Sequence, residues 1–176
     1  LPDLVVNSIW GKVVWYRNVG TRRDPKLAAS RPVEVEWLGK PPKPVWNWWE
    51  PEGRSLVTQW RTTPVAVDHN GDGLCDLVML DHEGFLVLFQ RAERDGRLVL
   101  LPPRRVFLAD DGTPLRLTEG RAGRSGRRKI CLVDWDRDGR TDLLVNGINV
   151  DFLRNEGQVG EKGRFVNRGP VAARRL

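Results

Sequence analysis

At 176 residues the chain is long enough to bury the core of one ordinary domain, and it holds no apolar run near the roughly 18 residues that a membrane-spanning helix needs. The net charge of +6, from 29 basic and 23 acidic residues, favours anionic partners through long-range steering, whether nucleic acid, an anionic polysaccharide or only a solvated surface. Gly 18, Pro 12 and Trp 8 in a chain that is 40% hydrophobic and 30% charged suit short strands and many turns better than helices.

The chain opens on Leu1, not on Met, which reads either as a removed leader or as a piece of something longer. Residues 2–18, PDLVVNSIWGKVVWYRN, start at a point that two later segments reach only after an acidic turn. These are TPVAVDHNGDGLCDLVMLDHEGFLVLFQR at 63–91 and KICLVDWDRDGRTDLLVNGINVDFLRN at 129–155. Their Asp-Leu pairs begin at Asp3, Asp76 and Asp142, spaced 73 and 66 residues apart. Asn18-Val19-Gly20 and Asn155-Glu156-Gly157 echo one another at the end of the first and third copies.

Each copy reads as four short strands, because Val, Leu, Ile and Phe crowd the runs while Gly, Asp and Asn punctuate them. In the second copy strand A is expected at 63–68, strand B at 76–80, strand C at 84–90 and strand D near 97–101 or later. Repeated units of this kind stack into the blades of a β-propeller, which usually has about four to eight of them. The predicted fold is therefore all-β, a partial propeller of two complete blades plus part of a third. Residues 1–38 form the end of one blade, 39–101 a blade with a Trp-rich insertion, and 102–176 a blade with an Arg-rich insertion. Missing blades, or another chain, are needed to close the ring.

Asp68, Asn70, Asp72 and Asp76 share the pattern D-x-[DN]-x-D-G-x-x-D with Asp134, Asp136, Asp138 and Asp142. Oxygens at alternate positions of such a loop converge on one hard cation, and Ca²⁺ takes six to eight of them. The backbone carbonyls of Leu74 and Arg140, at position seven, complete each predicted site, giving two Ca²⁺ ions. An EF-hand would carry Glu at position twelve; Met79 and Val145 stand there instead. The alternative is a solvated Asp/Gly turn that binds nothing. Cys75 and Cys131 have no CxxC or histidine companion, so they read as small buried side chains and not as a zinc or redox site.

If strand A runs down, the acidic turn lies at the bottom. The turn from B to C and the crossing to the next blade then share the top. That face collects Asn7 to Gly11, Leu80 to Gly84, Asn146 to Asn149 and both insertions. Trp46, Trp48 and Trp49 offer either interblade packing or a platform for sugar rings. Arg121, Arg124, Arg127, Arg128 and Lys129 form either a solvated loop or a site for carboxylates and sulfates. Arg61 and Arg127 align just before an inner strand, and His82, in the B to C turn, is the only histidine outside an acidic loop. His69 carries no role, and Tyr16 is structural.

The acidic turns at 68–80 and 134–146 resemble the FG-GAP or VCBS repeats of integrin-like propellers and of many bacterial extracellular proteins. The resemblance implies calcium-binding blades and a secreted, periplasmic or cell-surface location. The Trp-rich and basic insertions and the RTTP…DHEG run resemble, more weakly, bacterial propeller polysaccharide lyases. Two functions follow. One is a carbohydrate- or protein-binding scaffold; the other is a lyase acting on uronic-acid glycans, with His82 as base and Arg61 or Arg127 neutralising the carboxylate. Trp46, Trp48, Trp49, Arg124 and Arg128 are the candidate substrate contacts in either case. Nucleic acid is supported by charge alone, and no nucleophile elbow points to hydrolase chemistry.

Overall fold

The computed structural model describes residues 1–118, 127–147 and 149–171. Among these the protein is all-β, with strands and no helix. A first sheet holds β1 (Leu4–Asn7), β2 (Val13–Tyr16) and β3 (Arg31–Pro32) side by side. A middle sheet follows with β4 (Val65–Val67), β5 (Asp76–Leu80) and β6 (Leu86–Phe89). Strands β7 (Arg91–Arg94) and β8 (Arg97–Leu100) form a hairpin of their own, and β9 (Phe107–Leu108) comes next. The last sheet runs β10 (Ile130–Val133), β11 (Asp142–Asn146), β12 (Val150–Val159) and β13 (Lys162–Pro170), with β9 added parallel to its outer edge.

The expected strands A to C of the second copy are present as β4, β5 and β6. Strand D, expected near 97–101 or later, lies later in the chain, because β8 pairs with β7 outside the sheet. The place next to β6 is filled by Arg104, which exchanges both backbone hydrogen bonds with Leu88, and by Leu115, whose carbonyl accepts from Leu86. The local sequence explains the detour. Asp95 and Gly96 both adopt left-handed φ, 50° and 71°, which is the two-residue turn that closes a tight hairpin.

Burial follows the period of two. Strands β5 and β6 are apolar without alternation because both of their faces are covered. Leu77, Met79, Val87 and Phe89 pack against Val13, Val33, Val35 and Leu56 of the first sheet and its returning insertion. The intervening Val78, Leu80, Leu86 and Leu88 pack against Ile130, Leu143, Val145, Leu153 and Phe165 of the last. The three sheets are thus stacked face to face, and β4 also touches β10. Each side chain fully withdrawn from water in such a stack contributes about 1.5–3 kcal/mol.

The turn from B to C is built alike in the first and middle sheets. Ser8 and Asp81 each accept, through the side chain, the amides two and four residues on. Gly84 has φ +89°, and a Cβ there would fall 2.2 Å from the Thr118 hydroxyl, while one on Gly11 would fall 2.4 Å from the Thr58 carbonyl oxygen. The crossing segment therefore presses on each turn, and both lie on the side opposite the acidic loops. Cys75 and Cys131, expected to be buried, are exposed. Cys75 sits at loop position eight, and Cys131 on the face of β10 turned away from the middle sheet.

Candidate functional site

The two acidic turns have one backbone design. The first aspartate, Asp68 or Asp134, accepts the amides of positions five and six: Asp72 at 3.1 Å and Gly73 at 2.9 Å, Asp138 at 3.1 Å and Gly139 at 3.1 Å. Position three, Asn70 or Asp136, also accepts the amide of position five. Position five in turn accepts the amide of Leu74 or Arg140, 2.8 and 2.9 Å away. Positions four and six take left-handed φ in both loops, Gly71 76° and Gly73 85° against Arg137 63° and Gly139 85°.

Asp76 and Asp142 are completely buried, and each is a hook between strands. Asp76 accepts the amides of His69 (3.2 Å) and Arg91 (2.7 Å); Asp142 accepts those of Trp135 (3.0 Å) and Asn155 (2.8 Å). Asp3 makes the corresponding bond to the Asn18 amide at 2.8 Å. Asn18 and Asn155 add a second clasp, donating to the carbonyls of Pro2 and Thr141 and accepting from Gly20 and Gly157. The sequence echo between these asparagines is therefore a shared strand-end device.

Side-chain charge separates the turns. One oxygen from each of Asp134, Asp136 and Asp138 lies within 4.8 Å of the others. Two oxygens bound to one metal ion at about 2.3–2.6 Å lie at most about 5 Å apart, so these three carboxylates are close enough to hold one ion. The Arg154 guanidinium bridges Asp136 and Asp138, and that of Arg140 also reaches Asp138. The hydrogen bond from Arg154, and then its charge, hold the Asp136 carboxyl below the usual range. In the first turn Asn70 donates its amide to Asp72 at 2.8 Å. Asp76 and Asp142, as buried hooks, stand apart from the converging oxygens. His69 packs edge-on against Phe107 at 5.7 Å, and burial keeps its imidazole pKa down.

No family model, curated protein or solved structure matches the chain.

The opposite face brings the aromatic residues together. Trp46 donates to Gln59 Oε1 and reaches the Gly11 turn; Trp49 donates to the Trp10 carbonyl while Lys12 lies 4.5 Å over its ring. Trp48 stands 6.2 Å from Trp10, edge to face, and is 74% exposed. Trp10, 46% exposed, completes this group. Sequence reading passed over it because the equivalent turn position in the second copy is Glu83.

Trp60 is the second residue that sequence reading missed. Arg61 and Arg127 lie over its ring at 4.9 and 5.4 Å, and its carbonyl accepts the Arg127 amide at 3.0 Å. Both arginines hold left-handed φ, 54° and 55°, at matching places before strand A. Such backbone is uncommon for non-glycine residues and clusters at functional sites. Gln59, next to Trp60, donates to the His82 carbonyl. Trp60 Nε1, Arg61 Nε and His82 Nδ1 are buried polar atoms with no hydrogen-bond partner among the described residues.

Arg128 is directed inward. It donates to the carbonyls of Leu117 (2.9 Å) and Asn146 (2.7 Å), tying the segment before β10 to the end of β11. Arg121 and Arg124 lie outside the described residues.

Proposed function

We propose that this chain is a calcium-stabilised segment of an FG-GAP- or VCBS-type β-propeller. It serves as a secreted, periplasmic or cell-surface scaffold that binds an acidic polysaccharide or an extracellular protein. The observation that carries the reading is the convergence of Asp134, Asp136 and Asp138 in a turn whose backbone design recurs at Asp68 to Asp76. When bound, the ion supplies positive charge that lets the carboxylates share one centre. The chain's own contribution is to fix those side chains through amide hydrogen bonds and to hook the turn to its sheet through Asp76 or Asp142.

The binding surface in this reading is the face of the B to C turns, where Trp10, Trp46, Trp48 and Trp49 cluster beside Lys12. Flat aromatic surface next to a cation suits a ring-shaped anionic partner. Isothermal titration calorimetry with Ca²⁺ tests the metal half of the reading, with two sites expected in the parent chain and one in Asp138→Ala. Absence of any calcium heat overturns it.

A second reading, a lyase that cleaves uronic-acid glycans by β-elimination, draws on Arg61, Arg127 and His82. In it neutral His82 takes the proton from the carbon beside the uronate carboxylate, and Arg61 or Arg127 neutralises that carboxylate as charge builds. The electron pair then forms the carbon–carbon double bond and expels the glycosidic oxygen at the neighbouring carbon. Ultraviolet absorbance of unsaturated uronate, followed on a panel of acidic polysaccharides, separates the two functions. Turnover that is lost in His82→Ala and kept in His69→Ala favours the lyase, whereas binding without turnover favours the scaffold.

A further inference from the structure

Two arginines are gathered on one indole at the junction of the middle and last sheets. Arg61 precedes β4 and Arg127 precedes β10, 66 residues apart, which is the spacing of the last two repeats. Their guanidinium carbons lie 4.9 and 5.4 Å from the centre of the Trp60 ring, so the two charges are no further apart than those two lengths laid end to end. The backbone fixes them there. The Trp60 carbonyl accepts the Arg127 amide at 3.0 Å, and both arginines hold left-handed φ, 54° and 55°, a conformation that non-glycine residues seldom keep away from functional sites.

Neither guanidinium donates a hydrogen bond or forms an ion pair within the described residues. Arg105 shows what is missing. It too lies over an aromatic ring, that of Phe85 at 3.7 Å, but it also pairs with Asp81 and Glu83. At Arg61 the Nε group is buried and meets no acceptor among the described residues, and neither does Trp60 Nε1 beside it. A buried donor without an acceptor carries an uncompensated desolvation penalty, and two like charges around one ring repel. An oxyanion relieves both conditions, because its negative charge offsets the two cations and its lone pairs accept from their N–H groups. Arg127 is exposed and Arg61 half-buried, so the pair is reached from solvent on the Arg127 side.

We propose that Arg61, Arg127 and Trp60 form a binding site for one oxyanion group, a carboxylate or a sulfate ester, carried by an acidic polysaccharide. Each guanidinium is a planar fork that matches such a group through paired N–H donors, and the indole keeps the two forks on one centre. The site deepens the scaffold reading: it rests on the acidic polysaccharide of that reading and needs neither turnover nor His82. It adds to the tryptophan cluster a point that senses the charge of the glycan and not the face of its ring.

Titration calorimetry of the 176-residue chain with polygalacturonate, which offers carboxylates, dextran sulfate, which offers sulfate esters, and neutral dextran tests the site. At least one acidic polymer should bind, and dextran should not. Arg61→Gly and Arg127→Gly should each weaken that binding by about tenfold, and Arg61→Lys by less, because lysine keeps the charge and loses the fork. Glycine takes left-handed φ without strain, so neither glycine variant should melt well below the parent chain. Unaltered affinity in both glycine variants overturns the proposal while the scaffold reading still stands on its tryptophan cluster. Dextran bound as tightly as the acidic polymers overturns it too, as does a glycine variant that melts far below the parent, since the arginine would then be holding the fold. Inorganic sulfate, titrated in the same way, keeps the two failures apart. Arg61-dependent binding of sulfate with no binding of either acidic polymer supports the oxyanion site and removes the polysaccharide from the reading, whereas no binding of any anion overturns both.

Discussion

The acidic turns at 68–76 and 134–142 share nearly every backbone hydrogen bond and differ in how their negative charge is offset. In the first, an asparagine replaces the middle carboxylate and its amide donates to Asp72. In the second, three carboxylates converge and two guanidiniums, Arg154 and Arg140, reach into them. The difference teaches that one loop path, held by amides and by two left-handed positions, accommodates two arrangements of charge. Charge on the loop is a separate layer, added to a turn that already has its shape.

The largest effect should come from the part that the turns share. Asp142→Ala leaves the half-buried amides of Trp135 and Asn155 without their carboxylate acceptor, and Asp76→Ala does the same to His69 and Arg91. Two orphaned donors cost about 2–5 kcal/mol, or about 5–15 °C in melting temperature for a chain of this size. The two variants should fall by similar amounts in thermal denaturation. A large loss at one position and none at the other would break the equivalence of the turns.

Calcium comes next. At about a hundredfold excess over Kd one site adds about 2.7 kcal/mol, so chelation should lower the melting temperature by about 5–10 °C per occupied site. Asp138→Ala should remove the share of the second turn and Asp72→Ala that of the first. Indifference of the parent chain to chelator would leave the amide network as the whole account of these loops.

How far the sequence was legible follows from the same division. Strands β5 and β6 were readable because burial on both faces demands unbroken apolar runs, and the turn between them because Gly84 marks it, as Gly11 marks the one between β1 and β2. The hooks at Asp3, Asp76 and Asp142 were visible as a recurrent Asp-Leu pair, although their work as acceptors of strand-end amides needed coordinates. Strand D was not readable. Asp95-Gly96 diverts the chain into its own hairpin, and the pairing of Arg104 and Leu115 with β6 depends on contacts remote in sequence. Trp60 was invisible for the same reason. Its neighbours Arg61 and Arg127 align in the repeat, but the indole between them belongs to only one copy.

The guanidinium layer is tested by Arg154→Gln. Without the cation that bridges Asp136 and Asp138, three converging carboxylates repel one another more strongly and attract a divalent ion more strongly. A unit charge about 4 Å away is worth about 1 kcal/mol even in water. Calcium affinity of the second turn should therefore tighten by about fivefold or more in titration calorimetry, with that of the first unchanged. Weaker binding at the second turn would mean that Arg154 positions the ligands and does not compete with the ion.

The smallest effect is a pH asymmetry. Glu156 accepts hydrogen bonds from Arg168 and from Arg154. The Arg168 bond, and then the Arg154 charge, hold its carboxyl below the ordinary value. A carboxyl depressed by folding adds stability that is complete above its unfolded pKa, about 4.3, and that fades as pH falls through the lower folded value. The stretch of β12 around Asn155 and Glu156 that clasps the second turn should therefore loosen on acidification. The first turn, whose equivalent strand end is Arg91, has no such carboxyl there. Hydrogen exchange of the Asn155 and Gly157 amides, compared with that of Arg91 at pH 6 and below about pH 4, reads the difference directly. Glu156→Gln should abolish it. If both strand ends loosen together in the variant as in the parent chain, the asymmetry lies elsewhere than in the arginine–glutamate cluster.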